Sequence, residues 1–296
     1  MTRLLPFRPT VTPHGADVAR CYDYGPSVAA GRMWWCSGLG TDTIVSAPLP
    51  GRPGKPGAPW HIPGKLVADP CAVTIGHQTL VLFTVGDPDG RNNGVGWAVW
   101  SDPAKLPTRH GMLIPQSAPG RYGIGQPSLA TWGDGGALLA FRDDGANGEN
   151  VLRVAYVDLD LVALGGAPVV ERAAAFTEPE DGASPEAWLL DDGRLAILVS
   201  GGGWCGLRTY QPTAGYEWRR ERHLETASPV AGGHFHAQAP KPTPGAVDGL
   251  GVERDAHGRP IITAGTVHYW QAHGDPAAPG TWALGRFGYR LPEGVA

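Results

Sequence analysis

The chain has 296 residues and a formal net charge of −4, with no run of Lys or Arg longer than two. It therefore lacks the basic footprint of a nucleic-acid or anionic-lipid binder. Gly (44) and Pro (29) make up about a quarter of it, yet eleven Trp and many Val/Leu-rich runs exclude the disorder such enrichment can signal.

A Pro-led motif orders the elements. Copies begin at Gly25-Pro26-Ser27-Val28, Asp69-Pro70-Cys71-Ala72, Gln126-Pro127-Ser128-Leu129 and Ser184-Pro185-Glu186-Ala187, and a degenerate fifth lies near Gly249-Leu250-Gly251-Val252. A spacing of roughly 45–60 residues reads as one supersecondary unit copied around an axis. The prediction is an all-β, five-bladed propeller with four-stranded antiparallel blades, forming one domain over 1–296. The blades fall at about 15–61, 62–119, 120–178, 179–232 and 233–290, and 1–14 is a candidate ring-closing strand, with 6–11 as its core. In blade one, 26–29 is the inner strand, 33–36 and 43–47 follow, and 48–63 reads as a surface loop. Blade two has strands at 71–75, 79–85 and 94–100. In the last of these Trp97 and Val99 share one face, and Ala98 and Trp100 share the other. Blade three has 128–132, 137–141 and 151–157, and blade four has 187–190, 195–200, 205–211 and 217–224. Asp-Gly at their first turns reads as a two-residue hairpin. Blade five has 251–254, 261–270 and 282–289. Almost no helix is expected.

The start of each inner strand should lie at one mouth of the central channel. Counting from the blade Pro, positions −3, −1 and +1 share a face. This brings Asp23, Asp69 and Glu186 from three blades toward one mouth, as candidate catalytic carboxylates. One acid can protonate a leaving oxygen while another activates water or attacks a sugar. Gln126 and Ser184 sit beside them. Tyr22, Tyr24, Trp188 and Trp204 offer apolar faces with polar handles for a sugar. Arg142 is a candidate clamp for an anionic group, with a loop ion pair to the acids that follow it as the alternative. His236 and Gln238 lead toward blade five, with His236 as a candidate proton shuttle. Asp-Pro is also a common turn signal, so Asp69 has a purely structural alternative.

The run Asp69-Pro70-Cys71-Ala72-Val73, with Phe83-Thr84 and Gly96-Trp97-Ala98-Val99-Trp100-Ser101-Asp102-Pro103, resembles the blade signature of five-bladed propeller glycosidases, glycoside hydrolase families 43, 62 and 32. That resemblance implies activity on arabinosides, xylosides or fructosides. It also implies a catalytic Asp opening blade one, an Asp opening blade three and a Glu opening blade four. Asp23 and Glu186 stand near the first and third of these places, each displaced from the family position. Gln126 stands where the family has Asp, and a Gln cannot raise a neighbour's pKa by like-charge repulsion.

The expected function is a glycoside hydrolase-like enzyme acting at the axial pocket on a sugar or sugar-bearing small molecule. The alternatives are a propeller repurposed for cyclisation or rearrangement in natural-product biosynthesis, or a non-catalytic carbohydrate-binding propeller. No cofactor is expected. The resemblance adds a structural cation near the axis, for which His234 and His236 are the available imidazoles. Cys21, Cys36, Cys71 and Cys205 form no CxxC pair and read as scattered thiols. Apolar stretches such as Leu80-Val81-Leu82-Phe83 are too short to span a bilayer, and the N-terminus shows no apolar core of signal-peptide length. The expectation is a cytoplasmic protein with neither membrane nor nucleic-acid partners.

Overall fold

Short β-rich runs separated by Gly and Pro leave the backbone few ways to pair its N–H and C=O groups except as hairpins stacked into sheets. The computed structural model describes residues 23–37, 42–116, 120–132, 135–144, 151–179, 183–201, 204–213, 218–227, 246–275, 278–293 and 295. Its first sheet holds β1 (Asp23–Ala29), β2 (Arg32–Ser37) and β3 (Thr43–Pro48). The second holds β4 (Leu66–Ile75), β5 (Gln78–Gly86), β6 (Gly94–Trp100) and β7 (Arg109–Ile114). The third holds β8 (Ile124–Thr131), β9 (Gly136–Asp143), β10 (Val151–Asp158) and β11 (Val169–Pro179), with a single helical turn α1 (Asp160–Ala163) before β11. The fourth holds β12 (Ala183–Leu189), β13 (Leu195–Gly201), β14 (Trp204–Pro212) and β15 (Trp218–Ala227). The fifth holds β16 (Ala246–Val252), β17 (Ile262–Thr263), β18 (Thr266–Asp275) and β19 (Ala278–Arg290).

The inner strands β1, β4, β8, β12 and β16 touch in that order, and β16 touches β1, so the five sheets form the blades of a closed propeller. The last joint carries a parallel bridge between Val28 and Glu253. The proposed ring-closing strand at 6–11 lies outside the described residues.

The period of two explains the packing. In β6, Trp100 and Ala98 join Trp34, Trp35 and Met33 of blade one in one apolar cluster. Trp97, Val99 and Val95 on the opposite face join Leu129, Leu139 and Phe141 of blade three in another. Blade three meets blade four through Ala130, Leu138, Ile197 and Val199. Blade four meets blade five through Leu198, Leu207, Val252 and Tyr269. Each blade thus lends alternate residues to its two neighbours, which is why its strands are apolar on both faces.

Some elements differ from the sequence reading. Two outer strands, β7 and β11, had no prediction. Residues 261–270 do not form one strand: the chain reverses at Ala264-Gly265, where φ is 48° and 69°, so β17 and the start of β18 pair as a small hairpin. The loop at 48–63 is not wholly superficial. Trp60 is buried, bridges Ile44, and sits edge-on to Phe83 and Trp100 at 5.3 and 5.6 Å. Asp192-Gly193 does not form a two-residue turn. Leu190 and Arg194 bond across three residues, and Gly193 takes the left-handed position at φ 83°.

The β1–β2 turn is a two-residue hairpin in which both Ala30 (φ 50°) and Gly31 (φ 76°) are left-handed. Ala30 is exposed and pays for a conformation that glycine adopts freely. Ala30→Gly should raise the urea midpoint, with a stability gain of about 1 kcal/mol.

Candidate functional site

At the start of every inner strand the register slips. The breaks fall between Tyr24 and Ser27, Ala68 and Cys71, Gly125 and Ser128, Ala183 and Glu186, and Asp248 and Gly251. In the four Pro-bearing copies the residue before Pro is left-handed: Gly25 at φ 56°, Asp69 at 48°, Gln126 at 54° and Ser184 at 52°. A proline ordinarily pushes its predecessor toward extended backbone. Three non-glycine residues held at positive φ, each costing about 1–2 kcal/mol, are strain of the kind that gathers at functional sites.

This slip breaks the expected parity. The residue before Pro and the Pro itself both line one axial pocket in all four copies, joined by Glu186 and Leu250, so all five blades contribute. The pocket narrows to a void of ≈ 20 Å³, room for about one water molecule. The residue after Pro instead reaches the next blade. Ser27 Oγ accepts the Ala72 N–H (2.9 Å), Cys71 Sγ the Leu129 N–H (3.2 Å), Ser128 Oγ the Ala187 N–H (2.9 Å) and Glu186 Oε2 the Val252 N–H (3.2 Å). At the fifth joint Gly251 has no side chain to offer, and a Cβ there would lie 2.1 Å from the Pro26 carbonyl oxygen.

Asp69 is part-buried and lines the pocket. The Thr84 hydroxyl donates to its Oδ2 (2.9 Å), and Thr84 Oγ1 accepts the Gln126 N–H (2.8 Å). Gln126 Oε1 in turn accepts the Ser184 N–H (2.9 Å). With Thr84 committed to Oδ2, a proton on Asp69 belongs on Oδ1. That oxygen faces Gly25, whose missing Cβ would lie 3.3 Å away. Burial pushes the Asp69 carboxyl up to about 6, against the pull of Thr84 and the Arg142 guanidinium. Arg142 lies over the Tyr122 ring, 4.8 Å from its centroid, while Asp143 pairs with Arg153 at 2.6 Å. The alternative loop ion pair thus engages Arg153.

Glu186 is also pushed above its ordinary range by burial, opposed by Arg254, the Val252 N–H and the Ser128 hydroxyl. Arg254 Nη2 lies 2.9 Å from Glu186 Oε2, and this guanidinium also donates to the Ala187 and Gly258 carbonyls. Cys71 is a free, buried thiol pushed up to about 12, chiefly by burial, which removes it as a nucleophile.

Of the sequence candidates, Asp69, Gln126, Ser184 and Glu186 meet at the pocket, and Arg142 stands within electrostatic reach of Asp69. Trp188 lies four residues further along β12 and lines a different cavity, at the other end of the inner strands. Tyr22, His234, His236 and Gln238 lie outside the described residues, as do the side chains of Asp23, Tyr24 and Trp204. Among the described residues no three His, Cys, Asp or Glu side chains gather as metal ligands. The sequence reading missed Thr84 and Arg254. An arginine directly after the apolar run of β16, within Val252-Glu253-Arg254, was the available signal for a buried charge in need of a partner.

The fold has counterparts among solved structures. An α-L-arabinofuranosidase from Podospora anserina, in complex with cellotriose, is 13% identical, with a TM-score of 0.57 over 98% of this chain and 97% of that one. A GH43_1 enzyme from Xanthomonas citri is 13% identical, with a TM-score of 0.58 over 96% and 94%. The GH32 β-fructofuranosidase of Bombyx mori is 12% identical, with a TM-score of 0.54 over 91% and 62%. The shared feature is the five-bladed propeller fold. At these identities the likeness is one of fold alone. No protein-family model and no curated protein matches the sequence.

Two substitutions test the site's wiring. Thr84→Val keeps the shape but leaves the Gln126 N–H without its acceptor. It should cost about 1–3 kcal/mol in urea denaturation and raise the Asp69 midpoint further, read by carboxyl NMR titration. Glu186→Gln strands the buried Arg254 charge and should cost about 3–5 kcal/mol, part of which Arg254→Met in the same chain should restore.

Proposed function

We propose that this chain is an enzyme that performs proton-transfer chemistry on a sugar or sugar-bearing small molecule at the axial pocket, in the manner of a glycoside hydrolase, with Asp69 as the group that holds and delivers the proton. The observation that carries this reading is the Asp69 carboxyl itself. It is held at a strained backbone position, its Oδ2 is occupied by Thr84, and its Oδ1 is open toward Gly25. A pKa of about 6 keeps both protonation states accessible near neutral pH, as a general acid–base requires. The solved structures of like fold include an α-L-arabinofuranosidase and a β-fructofuranosidase, so furanosides are the first substrates to test.

In a hydrolytic reaction Asp69 Oδ1 gives its proton to the glycosidic oxygen as the C–O bond breaks. A second carboxylate attacks the sugar carbon, or takes a proton from the water that does so. Asp23, at the head of β1, is the nominee for that role. The single-water void fits the floor of such a site, with the sugar above it. β2, β9, β13 and β18 all end at this end of the blades, where Asp23 pairs with Ser37, Ile124 with Asp143, Ala183 with Ser200 and Ala246 with Gly274.

A second reading, proton-transfer chemistry without hydrolysis, draws support from Gln126. Its amide oxygen is bound to the Ser184 N–H, so the place where the resemblance implies a carboxylate is filled by a neutral, fixed group. Release of sugar from aryl arabinofuranosides, xylosides and fructosides separates the two readings.

Asp69→Asn should lower turnover by about 10²-fold or more while the fold survives, since Asn tolerates positive φ. The wild-type rate should show a limb near pH 6. A carboxyl with a folded pKa above its unfolded value of 3.8 binds protons in the fold, so stability falls as pH rises from about 4 to about 6 and stays lower above that. For a fully enclosed group this is worth about 3 kcal/mol; solvent reaching Asp69 through the pocket reduces it to about 1–2 kcal/mol. The Asn variant should therefore be the more stable protein at pH 7.5 and lose that advantage at pH 4, as measured by urea midpoints at both values.

A further inference from the structure

We infer that the opposite end of the channel carries a second binding site, for a neutral mono- or disaccharide. Strands β8 and β12 leave the axial pocket and end at a cavity of ≈ 450 Å³ lined by blades three, four and five. That volume suits a small-molecule ligand. Its blade-five side is lined by Arg259, Pro260 and Ile262, and the Asp255–Arg259 turn reaches the end of β8, where the Thr131 hydroxyl donates to the His257 carbonyl (3.2 Å).

The lining states what it would accept. Trp188 is 1% exposed, and its indole N–H has no hydrogen-bond partner. A buried donor without an acceptor is a rarity that asks for an explanation, and a ligand oxygen supplies one. Trp132 stands at the rim, 40% exposed, beside Pro260 and Ile262, and offers a flat apolar face. Asp191 and Arg259 border the same cavity, and neither side chain has an ion-pair or hydrogen-bond partner among the described residues.

An anionic ligand would meet Asp191, and a cationic one would meet Arg259. A hydroxyl group satisfies both, since it donates to a carboxylate and accepts from a guanidinium or an indole N–H. A molecule that carries hydroxyls around its edge and C–H groups on its faces, sized for this cavity, is a small neutral sugar. The site shares no lining residue with the axial pocket and does not depend on the chemistry proposed there.

The test is titration calorimetry with saturation-transfer NMR on the intact chain, using L-arabinose, D-xylose, D-glucose and cellobiose as probes. At least one should bind with a Kd of about 1–10 mM. Trp188→Phe, which keeps the ring and removes the donor, and Trp132→Ala, which alters an exposed position, should each weaken that binding about tenfold. Asp69→Asn should leave it unchanged. The proposal is overturned if no probe binds below about 50 mM, or if binding survives Trp132→Ala. Loss of binding in Asp69→Asn would also overturn it, by placing the sugar at the axial pocket.

Discussion

Five sheets that each satisfy their own ladders have few main-chain bonds left to hold them together at the axis. Inner strands of neighbouring blades run side by side, yet main-chain links between blades there are sparse among the described residues: a parallel bridge joins Val28 to Glu253, and Asn93 of blade two bonds Tyr122 and Ile124 at the head of β8. The N–H groups two residues past the blade Pro, at Ala72, Leu129 and Ala187, and the matching N–H of Val252 in blade five, would be left buried and unpaired. A side chain of the preceding blade meets each of them, in turn Ser27, Cys71, Ser128 and Glu186. The inter-blade apolar clusters supply the bulk of the cohesion, but these bonds set the rotation of one blade on the next, and through it the shape of the axial pocket.

The same demand divides the work between two carboxyls a few residues apart in motif position. Glu186 sits after its Pro, is used as a joint, and is surrounded by a guanidinium, an N–H and a hydroxyl. Asp69 sits before its Pro, is turned into the pocket by a left-handed backbone, and has a single neutral side-chain donor. Environments that differ this much separate the roles of chemically similar groups. The first is fixed in place, and the second keeps its Oδ1 toward Gly25 at the pocket.

The blade rhythm was legible because proline, glycine and β-branched runs act locally, and the repeat made each weak signal count five times. The two-faced strand Gly94–Trp100 was read correctly from alternation alone, since both faces are buried and the pattern has no polar interruption. The outer strand Arg109–Ile114 was missed because it opens on an Arg, a His and a Gly, which give no apolar signal. The site was half legible. Asp69, Gln126, Ser184 and Glu186 were chosen by counting in twos, and they do converge, but that count assumes an unbroken strand. The slip at each Xaa-Pro pair sends the residue before Pro to the axis and the residue after it to the next blade. Thr84 and Arg254 lay beyond the count because their importance comes from partners distant in sequence.

The left-handed residue ahead of each proline owes its position to the backbone, not to the side chain it carries. Gly, Asp, Gln and Ser occupy that one conformation in four consecutive blades. Such an arrangement separates what holds the ring together from what the ring displays. Descendants of one ancestral ring can thus diverge in reactivity by single replacements at these points, with the joints between blades untouched. Gly25 and Gln126 are exceptions: a larger residue at 25 would press on Asp69, and the Gln126 side chain itself bonds the Ser184 N–H of the next blade.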